Sequence, residues 1–213
     1  MRTKLAIRCV LGAVGFVGAV LLSGGMVMAE GKFVPLFDGK TLNGWQGDPE
    51  LWRVENGEIV GSTDNKQLKR NSFLSTTKSY RNFVLRLKFK LRNHNSGVQF
   101  RSKQHPDYVV RGYQADIADN QYLGILYEEG GRGILKLVDA KEVAKHYKPD
   151  DWNEYVITVD GPHITQALNG YTTVDYVEQD EEKGAKEGII ALQLHTGPKM
   201  EIRFKDIEIK ELP

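Results

Sequence analysis

The sequence predicts an all-β protein, a jelly-roll sandwich of two antiparallel sheets with a short helix in an insertion, and three observations point that way. After Glu30, apolar and polar residues alternate with a period of two over most of the chain. The pairs Asn56-Gly57, Asp160-Gly161 and Asn169-Gly170 tolerate the positive φ angles that tight hairpin turns need, and they fall between the alternating runs. One stretch alone, around Asp139, has the composition of a helix. Many antiparallel strands joined by short turns close into a sandwich or jelly roll.

Taken in order, residues 1–29 stand apart. Arg2, Lys4 and Arg8 precede an uncharged run from Cys9 to Leu22, and Val27-Met28-Ala29 places small side chains at both cleavage-determining positions. This reads as a secretory signal peptide, so the protein is expected to be secreted or periplasmic, with no stable insertion in a membrane. An uncleaved anchor is the competing reading, because about 20 apolar residues can span a bilayer; the glycines and serine that interrupt the run favour cleavage. Cys9 is the single cysteine of the chain, so residues 30–213 hold no thiol. Thiol catalysis, cysteine-ligated zinc and disulfides are excluded, and the exported domain must be held by its core. Without the leader, 26 Lys and Arg face 28 Asp and Glu, a net charge of −2 that gives no reason to expect nucleic acid. No internal repeat or linker divides residues 30–213, which form one domain.

Strand-like runs follow at Trp52 to Val60, Leu85 to Leu91, Val98 to Arg101, Tyr155 to Val159, Ile164 to Leu168 and Ile189 to Ile209. In the second of these, Leu85, Leu87, Phe89 and Leu91 alternate with Arg86, Lys88 and Lys90, giving one buried face and one wet face. Between Asn120 and Tyr155 lies a long insertion, first a glycine-rich loop and then Asp139 to His146, where helix formers and an Asp three residues before Glu142 mark a helix start.

Three strands break the usual rule for an outer face. Parity puts Gly97, Gln99 and Arg101 opposite Val98 and Phe100. It puts Gly112, Gln114 and Asp116 opposite Tyr113, Ala115 and Ile117, and Gln193 and His195 opposite Leu192 and Leu194. Where an ordinary sandwich shows long Lys and Glu, these strands show short, directional hydrogen-bonding groups beside glycines, as a groove that admits a polar ligand requires. The loop Tyr122 to Gly133 adds Tyr127, Glu128, Glu129 and Arg132 among glycines and is placed at the groove edge. Lys66, Lys69 and Arg70 read as a solvated loop, and His94, His105, His146 and His163 as bystanders beside turns or in the insertion.

Leu36 to Trp45 (LFDGKTLNGW), Trp52 to Gly61 (WRVENGEIVG), Asn95-Ser96-Gly97, Gly112-Tyr113, Trp152-Asn153 and Leu192 to His195 (LQLH) together resemble the family once called domain of unknown function 1080, now described as a 3-keto-disaccharide hydrolase or 3-keto-glucoside 1,2-lyase and hydratase domain. The resemblance runs from about Phe33 to Leu212 and implies a concanavalin A-like jelly roll and a small-molecule carbohydrate substrate. Two departures from the family involve three positions: many members have Glu where this chain has Gln114 and Gln where it has Asp116, and many have Asp where it has Leu194. The first exchange keeps a carboxylate in the groove but moves it about 7 Å along the strand.

The chemistry the resemblance implies is elimination. A ketone at C3 of a sugar acidifies the C2 proton and sets the glycosidic oxygen β to the carbonyl, so the bond breaks without an oxocarbenium ion and water then adds to the enone. Such a site needs a base, a donor for the enolate oxygen and an acid for the leaving oxygen. His195 or Asp116 is assigned as base, Arg101 with Gln99 or Gln114 as enolate stabiliser and Glu128 as acid, with Asn95, Gln99, Gln114, Tyr127, Arg132 and Gln193 binding substrate. Two rival readings stay open: a carbohydrate-binding module without catalysis, and a glycosidase with two carboxylates about 5–10 Å apart, for which Asp116 and Glu128 would serve. No cofactor is expected and no metal site is assigned, although Asp116, Asp119, Glu128 and His195 leave a divalent ion open. Oligomeric state is not legible.

Overall fold

The computed structural model describes residues 31–213, so the predicted signal peptide and Cys9 lie outside the described residues. Two antiparallel sheets stack into a jelly-roll sandwich. The first contains β1 (Val34–Pro35), β3 (Trp52–Glu55), β4 (Glu58–Ser62), β6 (Phe83–Arg92), β11 (Asn153–Asp160), β12 (His163–Leu168), β13 (Tyr171–Val177) and β15 (Glu201–Glu211). Its order is β13-β12-β11-β6-β15-β4-β3, with β1 pairing on β15. The second contains β2 (Trp45–Gln46), β5 (Ser72–Tyr80), β7 (Asn95–His105), β8 (Val109–Ala118), β9 (Leu126–Glu129), β10 (Gly133–Lys136) and β14 (Gly188–Leu194). Its order is β10-β9-β8-β7-β14-β5-β2. Among the described residues no helix is long and apolar enough to cross a membrane.

The period-two reading holds most clearly in β6, β11 and β12. In β6, Phe83, Leu85, Leu87, Phe89 and Leu91 are buried while the residues between them reach solvent. Each fully buried side chain of this size contributes about 1.5–3 kcal/mol relative to exposure. β11 repeats the pattern with Tyr155, Ile157 and Val159, and the Tyr155 ring packs 5.2 Å from that of Phe89. From the opposite sheet, Phe100 and Tyr113 stack at 5.6 Å. Tyr155 also crosses the interior, and its hydroxyl donates to the main-chain oxygen of Asp116 at 2.6 Å.

Four expectations are corrected. The run Ile189 to Ile209 is two strands, β14 and β15, in different sheets. The β11–β12 hairpin turns on Gly161-Pro162, because Asp160 pairs with His163 as the last strand residue and Gly161 alone takes positive φ. The glycine-rich segment after Asn120 is not all loop, since β9 and β10 form a hairpin within it. The helix is α1 (Ala140–Ala144), shorter than the segment to His146, with Asp139 capping it by accepting from Lys141 N at 3.0 Å and Glu142 N at 3.2 Å. Val143 pins it to the core.

Candidate active site

The strands that carry the unusual polar residues are neighbours: β9, β8, β7 and β14 lie side by side. Register puts Gln99 opposite Gln114, Gly97 opposite Asp116, Ala191 opposite Gln99, and Tyr127 opposite Gln114. Cross-strand partners share a face, so one outer surface gathers Gln99, Gln114, Asp116, Tyr127 and Gln193. Gly97 is required there, because a Cβ on it would lie 2.5 Å from Cδ of Gln114, whose side chain folds across the strand.

These groups form a directed chain of hydrogen bonds. Ser102 Oγ donates to Gln99 Oε1 (2.7 Å), Gln99 Nε2 to Gln114 Oε1 (2.8 Å), and Gln114 Nε2 to Asp116 Oδ1 (3.1 Å). Asn95 Nδ2 donates to the same Oδ1 at 3.2 Å. Beside them opens a pocket of about 300 Å³ lined by Asn71, Asn95, Gln114, Asp116, Tyr122, Ile125, Tyr127, Glu129, Ile134 and His195. Its lining combines amide, carboxyl and imidazole groups with two tyrosine rings and two isoleucines.

The electrostatics of the pocket are set by burial. Asp116 is only 5% exposed. Burial pushes its carboxyl up to about 7, with the Asn95 and Gln114 hydrogen bonds pulling the other way and the nearby Glu129 adding to the rise. Burial likewise pushes Glu129 above the usual carboxylate range, against hydrogen bonds from Asn71 (3.2 Å) and Gln193 (3.2 Å). His195, just beyond the end of β14, is held below the ordinary histidine value by burial first and by His94 in addition, while the Thr196 carbonyl acts in the opposite sense. At neutral pH the imidazole is therefore neutral and the Asp116 carboxyl is divided between acid and carboxylate, while Glu129 keeps its proton to higher pH than a free carboxyl does.

Of the residues predicted from sequence, Asp116, His195, Asn95, Gln114 and Tyr127 line the pocket. Gln99 and Gln193 lie beneath it, fully buried, and hold Gln114 and Glu129 respectively. Three expectations fail. Arg101 does not share the groove: a bulge between Phe100 and Lys103 breaks the alternation, Arg101 takes φ +44°, and its guanidinium donates to Arg81 O, Gly161 O and Asn82 Oδ1 at 2.6–2.8 Å in a different cavity. Glu128 pairs across β8 with Tyr113, on the face opposite the groove, and accepts from Arg132 Nε at 2.8 Å. Arg132 in turn is locked to Glu178 at 2.7 Å. The rival pairing of Asp116 with Glu128 falls with these placements. Of the side chains left open as ion ligands, only Asp116 and His195 reach the pocket, and among the described residues no three His, Cys, Asp or Glu cluster as a metal site would.

Asn71, Ile125 and Ile134 were missed as pocket residues, Tyr122 and Glu129 were placed at the groove edge without a role, and His94 was passed over as the neighbour of His195. Glu129 was readable: once Leu126 to Glu129 is taken as a strand, parity sets it on the face of Tyr127. Asn71 sits in the connection before β5 and carried no sequence signal.

Comparison with known proteins agrees with this architecture. Residues 32–210 match the model of the 3-keto-alpha-glucoside-1,2-lyase-like domain. Among solved structures, a protein of Parabacteroides distasonis, assigned by name alone to the glycosyl hydrolases, is 25% identical with a TM-score of 0.65, the alignment covering 85% of this chain and 100% of that one. A carbohydrate binding module of Bacillus subtilis is 14% identical with a TM-score of 0.61, covering 79% of this chain and 96% of that one. The beta-glucanase of Bacillus licheniformis is 10% identical with a TM-score of 0.56, covering 87% and 100%. These last two likenesses are of fold alone. No curated protein sequence matches.

Proposed function

The chain belongs to the 3-keto-alpha-glucoside-1,2-lyase-like domain family, and from that premise we propose that it cleaves 3-keto-glycosides by elimination across C1–C2 followed by hydration. The observation that carries the reading is the pocket itself, in which a neutral imidazole and two carboxyls pushed toward the acid form face one ring-sized space. Nε2 of His195 takes the C2 proton, and the electron pair moves into the C3 carbonyl as an enolate. Asp116 stabilises that oxygen as a neutral acid: Asn95 and Gln114 occupy its Oδ1, so the proton is carried on Oδ2 and donated toward the pocket. The enolate pair then expels the C1 oxygen, which takes a proton from Glu129. Water adds to C1 of the enone and C2 regains a proton, restoring a 3-keto sugar. Tyr127 and Tyr122 offer ring faces to the apolar side of the sugar.

Incubation of the protein with an aryl 3-keto-glucoside in D₂O tests this. Release of the phenol with deuterium at C2 of the recovered sugar is expected. Release without that label would indicate direct hydrolysis, and binding without release would indicate a module that only holds glycans. Supported by the leader composition, we also propose export, checked by N-terminal sequencing of the mature protein for a start at Glu30.

A further inference from the structure

Nδ1 of His195 lies in a tight polar contact. It is 2.5 Å from the carbonyl oxygen of Thr196 and 3.1 Å from Nε2 of His94, which is itself 3.1 Å from the same oxygen. The two rings meet edge to face, 4.9 Å apart at 84°. We propose that His94 is a positioning residue that, together with the Thr196 carbonyl, fixes His195 as the Nδ1–H tautomer and so turns the Nε2 lone pair toward the pocket.

A carbonyl oxygen only accepts, so a 2.5 Å contact requires the hydrogen on Nδ1. A neutral imidazole has a single N–H, which leaves Nε2 as the base. The Thr196 peptide is a fixed acceptor, its N–H donating to Asn71 Oδ1 at 2.9 Å and its hydroxyl to Leu68 O at 3.0 Å. His94 occupies the space from which water would otherwise compete for Nδ1, and its own placement is built rather than incidental. It sits at φ +74° in the two-residue turn between β6 and β7, beside Asn93 at φ +51°, where residues with a Cβ seldom sit. Asp119 holds it there: His94 N donates to Asp119 Oδ2 at 2.7 Å, and Asp119 N returns a bond to His94 O at 3.1 Å. Gly197, at φ +134°, leaves the room it needs, since a Cβ there would stand 2.7 Å from His94 Nε2. A strained conformation so heavily supported points to a role. The titratable groups facing His195 are His94 from the β6–β7 turn, Asp116 from β8, Tyr127 and Glu129 from β9, and Tyr122 from the loop between β8 and β9.

The catalytic part of this inference rests on His195 being the base, but its test does not need a substrate. Long-range ¹H–¹⁵N spectra of the imidazoles in the intact protein should show neutral His195 protonated at Nδ1. His94→Gly, which suits the positive φ, should populate the Nε2–H form and raise the His195 midpoint through loss of the neighbouring ring. His94→Gln, whose amide reaches the place of the imidazole Nε2, should keep the tautomer. With the aryl 3-keto-glucoside, the glycine variant should lose roughly tenfold to a hundredfold in kcat with little change in KM, the glutamine variant recovering most of it. An Nε2–H tautomer in the parent protein, or a glycine variant with unchanged spectra and midpoint, overturns the assignment. The expected spectra without any turnover by the parent protein would support the positioning and overturn the proposed reaction instead.

Discussion

The two sheets turn outward faces to the surroundings that obey the same alternation yet are built for opposite ends. On the sheet of β6 and β15 the outward positions are long charged pairs, Arg86 with Glu208 at 2.6 Å and Lys88 with Asp206 at 2.9 Å, all substantially solvated. On the sheet of β7, β8 and β14 the outward positions are Gln99, Gln114, Asp116 and Gln193, nearly devoid of solvent and bonded to one another or to pocket residues. Solvated charges move with little consequence, whereas a buried carboxyl has its proton affinity reset by its surroundings. The contrast between the faces, more than any single residue, separates support from chemistry.

The sharpest way to break that contrast is Asp116→Asn. The amide keeps an N–H donor where Oδ2 stands, but one far less acidic than a carboxyl O–H, so kcat on a 3-keto-glycoside should fall by about tenfold. The same variant reads the burial directly. Because the folded carboxyl is raised to about 7 from 3.8, the folded state binds the proton more tightly than the unfolded one. Its contribution is complete below about pH 4 and is lost as pH rises through about 7, up to about 4 kcal/mol. Urea unfolding should therefore show the parent protein losing stability between pH 4 and 8, and the asparagine variant losing distinctly less. Equal slopes would mean that Asp116 is not desolvated.

A middle-sized effect is expected from Gly97→Ala, which must displace the buried Gln114 side chain. We expect about 1–3 kcal/mol of lost stability by chemical denaturation, together with a fall in activity. The smallest belongs to the other face: Lys88→Ala should change stability by less than about 1 kcal/mol, and less again at high salt. A larger loss would show that the charged face is not merely solvated.

Much of this was legible in the sequence, for physical reasons that also explain the failures. β6 announces itself because one face is apolar and the other charged, and the groove strands because Gln, Asp and His replace Lys and Glu. β5 stayed silent because Ser72 to Thr76 are all buried, which erases the alternation on which the reading depends. Arg101 misled because a bulge reverses parity without changing composition. Glu128 was chosen over Glu129 because the β9–β10 hairpin hides among glycines. His94 was passed over because a turn residue has no parity at all, and its meeting with His195 joins positions 101 residues apart.

Tyr155 gives the last lesson. Rooted in the far sheet, its hydroxyl braces the peptide of Asp116 from behind at 2.6 Å, where Gly124 N–H also bonds the same oxygen at 3.1 Å. The acid is thus held at a fixed depth by a strut anchored across the full thickness of the sandwich. Under the proposed reaction a sugar pressed against that strand would meet a stiff backstop rather than a yielding ribbon, and repacking on the distant layer would be felt in the pocket.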